Sequence, residues 1–224
     1  GDSERTVTGC IISLDCTSKA IEAARKNGFN LIITHHPLIF GGIDTVTNDT
    51  STGKILLQLI KSDISCFASH TNLDLTEEFG NLAIAEAIGA ADAVPVDGAL
   101  CGVAFECDEN VRSLSKRVAS GLGASGIITI NDPNNKVSKV FVQGGSFDED
   151  SIPAIAAAGC DTVVSGEIKH HVTVMLEELG INAIIAGHSA TEQVYLPKLA
   201  KLLSEQFPQI KFIVNNNNES ASVI

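Results

Sequence analysis

Histidines in this sequence are concentrated at the ends of apolar runs. The chain has six histidines, and the adjacent pair His35 and His36 follows the apolar residues 31–33 and Thr34. His70 and His188 also come directly after apolar, strand-like stretches. Imidazole is the commonest protein ligand for divalent transition metals. Histidines at several strand ends therefore predict a metal site assembled there.

Carboxylates at short spacing from these histidines complete a candidate ligand set. Asp74 follows His70 by four residues, and Glu192 follows His188 by four residues. Residues four apart face the same way on a helix, so His188 and Glu192 in a first turn can share one metal or flank a pair. The spacing thus indicates three imidazoles and two carboxylates as ligands: His35, His36, Asp74, His188 and Glu192.

This mixture of nitrogen and oxygen ligands suits zinc, iron, manganese or cobalt better than calcium or magnesium. Two adjacent imidazoles at a strand end favour a pair of divalent ions, and such ions acidify bound water into a nucleophile near neutral pH. Other interpretations stay open, because Asp74 is placed to cap the next helix and Glu192 to interact with a helix dipole. His170 and His171 are expected on an exposed helix.

Strands alternate with helices along the chain, which predicts an α/β fold with a mostly parallel sheet. The elements beside the candidate ligands are expected at 31–37 (strand), 54–62 (helix), 64–70 (strand), 76–88 (helix), 182–188 (strand) and 190–205 (helix). Each ligand therefore lies where a strand gives way to a loop or helix.

The sequence also contains a weak internal repeat. Residues 28–36 can be aligned with 159–167, and residues 64–71 with 182–189, so that His70 matches His188. A repeat of this kind predicts two related α/β lobes facing one another, with the metal site in the cleft between them. The alternative, that any two strand-helix-strand units look alike, stays open.

Composition excludes several classes of function. The net charge is −12, Trp is absent and aromatic residues make up 4%, so nucleic-acid binding is not expected. No apolar run has membrane-spanning length and the first residues contain no apolar signal region, so we expect a cytoplasmic protein. The six cysteines form no C-x-x-C motif and are expected to be reduced, buried thiols.

Four motifs in this order resemble the Nif-three-like family, whose bacterial members are commonly labelled GTP cyclohydrolase 1 type 2 homologues. The motifs are THHPLIF at 34–40, SHTNLD at 69–74, SGE at 165–167 and GHSATE at 187–192. The resemblance implies two interlinked lobes, expected at 1–97 with 187–224 and at 98–186. It also implies a site for two metal ions and a ring-shaped homohexamer.

Carried over by motif, the metal ligands implied by the resemblance are the five residues that spacing also indicates. His70 and Glu167 are implied as pocket residues that orient ligands or relay protons. Which carboxylate bridges the ions stays open.

The resemblance favours a metal-dependent hydrolase acting on a small molecule or nucleotide. The family label implies opening of the guanine imidazole ring of GTP with release of formate. The chain has no phosphate-binding loop of the G-x-x-x-x-G-K-[ST] kind. The alternative is a non-catalytic metal-binding scaffold or interaction protein, which would bind metal without turnover.

Overall fold

The computed structural model describes residues 1–76 and 79–216. Its strands are β1 (Cys10–Ser13), β2 (Leu31–Thr34), β3 (Ser65–Ala68), β4 (Val94–Pro95), β5 (Val103–Asn110), β6 (Ile128–Ile130), β7 (Lys136–Ser146), β8 (Thr162–Glu167), β9 (Asn182–Ile185) and β10 (Phe212–Asn215). Its helices are α1 (Ser18–Asn27), α2 (Ser51–Ser62), α3 (Thr71–Asp74), α4 (Gly80–Ala87), α5 (Val111–Leu122), α6 (Ile152–Ala157), α7 (His170–Glu178), α8 (His188–Gln193) and α9 (Leu196–Gln206). None of these helices is long and apolar enough to cross a lipid bilayer.

The chain forms two compact units, and the predicted α/β class is confirmed. One unit contains Gly1–Leu73 and the segment that starts at Leu196, and the other contains Asp74–Tyr195. The boundaries expected at 97/98 and 186/187 differ from these, because α4 packs on β5 and β7 while α8 packs on β7 and β8. Residues 217–224 of the expected first lobe lie outside the described residues. The expected cleft site stays a prediction.

The first unit is built on a four-stranded parallel sheet in the order β10-β1-β2-β3. Helix α1 begins after Thr17, whose side chain accepts a hydrogen bond from the amide of Ala20, and Gly28 ends the helix in a left-handed conformation. Buried Ile11 and Ile32 of the sheet pack with residues of α1 and α2. The carboxyl ends of β1, β2 and β3 thus meet at one edge of this sheet, where ligands bind in parallel α/β sheets.

The second unit is built on a six-stranded sheet in the order β4-β5-β7-β8-β9-β6. Strands β7, β8 and β9 are parallel, whereas the other pairings are antiparallel, so this sheet is mixed. Apolar residues cover both of its faces: Phe141 packs in one core cluster and its neighbour Val142 in another. Burial on both faces explains the nearly continuous apolar runs in these strands.

The internal repeat corresponds to a common topology. In the first unit β1, β2 and β3 are parallel and joined by helices, and in the second β7, β8 and β9 have the same arrangement. The helices before β2 and β8 end alike, at Gly28 (φ 68°) and Gly159 (φ 72°). The first part of the sequence alignment, 28–36 on 159–167, agrees with these two matching helix ends.

The second part of the alignment is wrong by one residue. Helix α2 is followed by Asp63 (φ 53°) and α7 by Gly180 (φ 69°). The amides of both residues donate to carbonyls three residues earlier. Asp63 therefore corresponds to Gly180. Counting onward from this pair, His188 corresponds to Thr71 and not to His70. The way a helix ends sets where the following strand begins, so it also sets this correspondence.

Three helix predictions needed revision. Helix α2 starts at Ser51, earlier than 54, because Thr50 caps it by accepting a hydrogen bond from Gly53 at 3.0 Å. The helix expected at 190–205 is two helices, α8 and α9, since Pro197 has no amide hydrogen to continue the first one. The helix expected at 76–88 corresponds to α4, and positions 77 and 78 lie outside the described residues.

Candidate metal centre

The two adjacent histidines lie on a turn and not on a straight strand. Strand β2 ends at Thr34, and the amides of His35 and His36 both donate to the carbonyl of Leu14, which follows β1. This turn brings the imidazoles together, with ring centroids 5.1 Å apart and planes tilted by 55°. A continued strand would have sent the two side chains to opposite faces of the sheet.

His70 joins the same cluster from the next strand. The amide of Ser69 donates to the carbonyl of Thr34 at 2.8 Å, which places His70 beside the end of β2. Its ring centroid is 4.9 Å from that of His35 and 5.7 Å from that of His36. One ring nitrogen from each histidine lies within 4.8 Å of the others. His70 is thus as well placed to bind a metal as the two residues that spacing selected.

Hydrogen bonds at Nδ1 determine which ring nitrogens could bind a metal. Nδ1 of His35 is 2.9 Å from the carbonyl oxygen of Ser69, and Nδ1 of His36 is 2.8 Å from Oδ1 of Asp15. Both oxygens accept, so Nδ1 carries a hydrogen in each ring, and in the neutral ring Nε2 carries the lone pair. Metal-binding histidines characteristically donate their other ring N–H to a carbonyl or carboxylate in this way. The donor chemistry of this group therefore fits a transition-metal ion.

Sequence reasoning missed Asp15. It comes two residues after the end of β1, at the same sheet edge as the histidines. The signal that could have found it is its position after an apolar strand, in parallel with His35 and His70. Its partner lies 21 residues further along the chain.

The second unit contains a group made of one histidine and two carboxylates. Helix α8 starts at His188, and the Nε2 atom of this residue is 3.1 Å from Oε2 of Glu192, one turn later. Its Nδ1 atom is 3.3 Å from Oε1 of Glu167, at the end of β8. The hydrogen bond to Glu192 raises the pKa of His188, burial opposes this, and Glu167 raises it further. The expectation that His188 and Glu192 face the same way is confirmed.

Glycine and threonine hold this group in place. Gly145 lies at the end of β7 with φ +60°, and a Cβ there would collide with the carboxylate of Glu192. Its amide donates to Oγ1 of Thr191 at 3.0 Å, and the Thr191 hydroxyl donates to the carbonyl of His188 at 2.7 Å. The carboxylate and the imidazole are thereby positioned from both sides.

Asp74 lies near the buried phenol of Tyr195. Burial raises the pKa of Tyr195, and the carboxylates of Glu192 and Asp74 raise it further. The phenol therefore stays protonated, as a neutral group near the carboxylate of Asp74. By contrast, His171 lies on α7, and its Nε2 atom is 2.7 Å from Oε2 of Glu149. Among the described residues it belongs to neither histidine group.

A model of the family described as Duf34/NIF3 (NGG1p interacting factor 3) matches residues 1–220 of the chain. The chain belongs to the DUF34/NIF3 family. A Clostridium perfringens relative named GTP cyclohydrolase 1 type 2 homolog is 31% identical over 224 residues, covering 96% of this chain and 85% of the relative.

Solved structures show the same fold. Staphylococcus aureus hypothetical protein SA1388 aligns with a TM-score of 0.90 at 25% identity, covering 100% of this chain and 90% of that protein. Reduced HcgD from Methanocaldococcus jannaschii aligns with a TM-score of 0.80 at 25% identity, covering 96% and 86% of the two chains.

Proposed function

We propose that this DUF34/NIF3 protein is a metal-dependent hydrolase that holds two divalent ions. The ligands that we assign are His35, His36, Asp74, His188 and Glu192. The observation that supports this most strongly is the orientation of His35 and His36, whose Nδ1–H groups are bound by oxygen acceptors at 2.9 and 2.8 Å. This arrangement leaves their Nε2 lone pairs for a metal.

A pair of such ions would supply a nucleophilic water at neutral pH and charge to stabilise a transition state. The protein's own groups have other tasks in this proposal. His70 has a ring nitrogen close to those of His35 and His36 and relays protons or orients the ligands. Glu167 contacts Nδ1 of His188, and its side chain is 60% exposed, so it can exchange protons with substrate and solvent.

A planar, heteroaromatic substrate is supported by Phe40. This side chain is 68% exposed, and its ring meets that of His70 edge to face, with centroids 5.6 Å apart. An exposed aromatic ring beside the proposed metal ligands offers a surface on which a planar base could stack. The relatives' name suggests GTP, with hydrolytic opening of the guanine imidazole ring and release of formate.

A second candidate is a non-catalytic metal-binding protein that acts through a partner. The observation in its favour is the family description, which refers to an interacting factor. In this case the histidine and carboxylate groups would bind metal for structural or regulatory purposes. Metal binding would persist without turnover, and ligand variants would change partner capture.

We also propose that the chain assembles into a homohexamer and works in the cytoplasm. Assembly is supported by apolar side chains that the first unit leaves exposed, among them Ile60 (69%) and Phe67 (59%). The cytoplasm is supported by the cysteines, which are free thiols. Native mass spectrometry would measure the assembly directly, and a purely monomeric protein would contradict it.

The test of the main proposal combines metal analysis with turnover. Elemental analysis of purified wild-type protein should find about two metals per chain. His36→Ala, Asp74→Ala and His188→Ala should each lose metal, whereas His171→Ala, on the exposed helix, should not. Metal-loaded wild type is then assayed on GTP and on phosphoester and amide panels.

Turnover that disappears in the three ligand variants would support the hydrolase. Metal binding without turnover on any substrate would favour the second candidate. Native protein without metal would contradict both.

A further inference from the structure

Two cysteines lie together in the first unit, away from the proposed metal ligands. Ile11, Ile32 and Cys66 are register partners on β1, β2 and β3, so their side chains lie on the same face of the sheet. Cys16, which precedes α1, is buried in the apolar cluster that contains Ile11 and Ile32. Cys66 packs against this cluster. The two thiols are close enough for each to shift the pKa of the other.

The two thiols differ in access. Cys16 is 7% exposed, whereas Cys66 is half-buried and lines a cavity of about 530 Å³ between α2 and the edge strand β3. Leu56 and Ile60 lie on the wall of this cavity. A small oxidant that enters it therefore reaches Cys66 before Cys16.

The thiols also differ in acidity. The neighbouring Cys16 lowers the pKa of Cys66, although burial opposes this, and Cys66 together with burial raises the pKa of Cys16. Cys66 is thus the better thiolate, and the thiolate is the form that reacts. In contrast, burial raises the pKa of each of the remaining thiols, Cys10, Cys101, Cys107 and Cys160.

We propose that Cys66 and Cys16 form an oxidation site for hydroperoxides, in which Cys66 is attacked first and Cys16 resolves it to a disulfide. In the first step the Cys66 sulfur takes the terminal peroxide oxygen, the O–O bond breaks and an alcohol or water leaves. In the second step the Cys16 sulfur displaces water from the sulfenic acid and the S–S bond forms. The two thiols lose two electrons and two protons, and the peroxide is reduced.

The disulfide would act on the metal ligands through Asp15. This residue precedes Cys16 and accepts the hydrogen bond from His36 at 2.8 Å. Drawing Cys16 toward β3 would move Asp15 and weaken its hold on the imidazole. This consequence rests on the proposed metal-binding function, whereas the oxidation itself does not.

The test uses full-length protein treated with hydrogen peroxide and then mapped by mass spectrometry of non-reduced digests. We expect a Cys16–Cys66 crosslink that dithiothreitol removes. Cys16→Ser should instead leave a Cys66 sulfenic acid that dimedone traps, and Cys66→Ser should abolish both products. Cys107→Ser is the matched control and should retain the crosslink. Oxidation of Cys101 or Cys107 with Cys66 unchanged would overturn the proposal.

A measurement on wild-type protein keeps the proposal testable if a variant does not fold. Alkylation by iodoacetamide should modify Cys66 about tenfold faster than Cys10 or Cys16, and equal rates would count against the proposal. Metal content is measured separately, before and after oxidation. A crosslink in protein that binds no metal would uphold the oxidation site and contradict only the proposed function.

Discussion

Oδ1 of Asp15 lies 2.8 Å from Nδ1 of His36, and this contact joins the end of β1 to the end of β2. The carboxylate accepts the Nδ1 hydrogen, so in the neutral ring the lone pair of His36 is on Nε2. Loss of such a partner typically lowers metal affinity about 10- to 100-fold. We expect this loss in Asp15→Ala and a smaller one in Asp15→Asn, whose amide oxygen still accepts the hydrogen bond.

Competition of the Asp15 variants against a chelating dye measures the metal affinity. Asp49→Ala, in the exposed loop before α2, serves as the control and should bind metal as the wild type does. Unchanged metal affinity in Asp15→Ala would show that metal binding by His36 does not depend on its contact with Asp15.

Gly145 is expected to be intolerant of any side chain. Gly145→Ala would place a methyl group against Glu192 at a backbone angle of φ +60°, and should destabilise the protein by about 2–4 kcal/mol and reduce its metal content. Gly159→Ala is the matched control, because its φ is +72° but no atom lies within 4 Å of the added carbon. It should cost about 1 kcal/mol and leave metal binding unchanged. Urea unfolding and elemental analysis of both variants test the difference.

Thr191 should be replaceable by serine but not by valine. Its hydroxyl accepts from the amide of Gly145 and donates to the carbonyl of His188, and the residue is 1% exposed. Thr191→Val leaves a buried amide without an acceptor, which costs about 1–3 kcal/mol. Thr191→Ser keeps the hydroxyl and should lose less stability. Equal unfolding midpoints for the two variants would contradict this role.

Glu109 should stabilise the fold in a pH-dependent way. Burial raises its pKa, but the hydrogen bond from Ser113 and the charge of Arg117 outweigh burial, so that its pKa is lowered from 4.5. Because the pKa of Glu109 is lower in the folded protein, the carboxylate contributes stability above pH 4.5. This contribution is lost as the pH falls through the pKa of the folded state. Glu109→Gln should therefore cost up to about 1 kcal/mol at pH 7, and this difference should fade in acid.

Urea unfolding from neutral to acidic pH measures the effect of Glu109→Gln. Glu106→Gln, which removes an exposed partner of Lys139, should change stability little at any pH. If the loss of stability in Glu109→Gln stayed constant down to acidic pH, the charge of the Glu109 carboxylate would not be its cause.

The chain's local patterns were sufficient for the fold class, most elements and the family. Helix α1 is an example, because Thr17 caps its start and Gly28 ends it within a single stretch of sequence. The spacing of His188 and Glu192 likewise predicted their contact, since one helical turn relates them. These features depend on residues close together in the chain, and periodicity and capping are sufficient to predict them.

Tertiary structure alone decided the relations between distant residues. The pairing of Asp15 with His36 and the entry of His70 into the same cluster follow from the strand order β1-β2-β3, which no local pattern specifies. The one-residue shift in the repeat follows from how α2 and α7 end. Side chains that come from different strands meet only after the sheet has formed, and their mutual geometry is set by strand pairing and backbone turns.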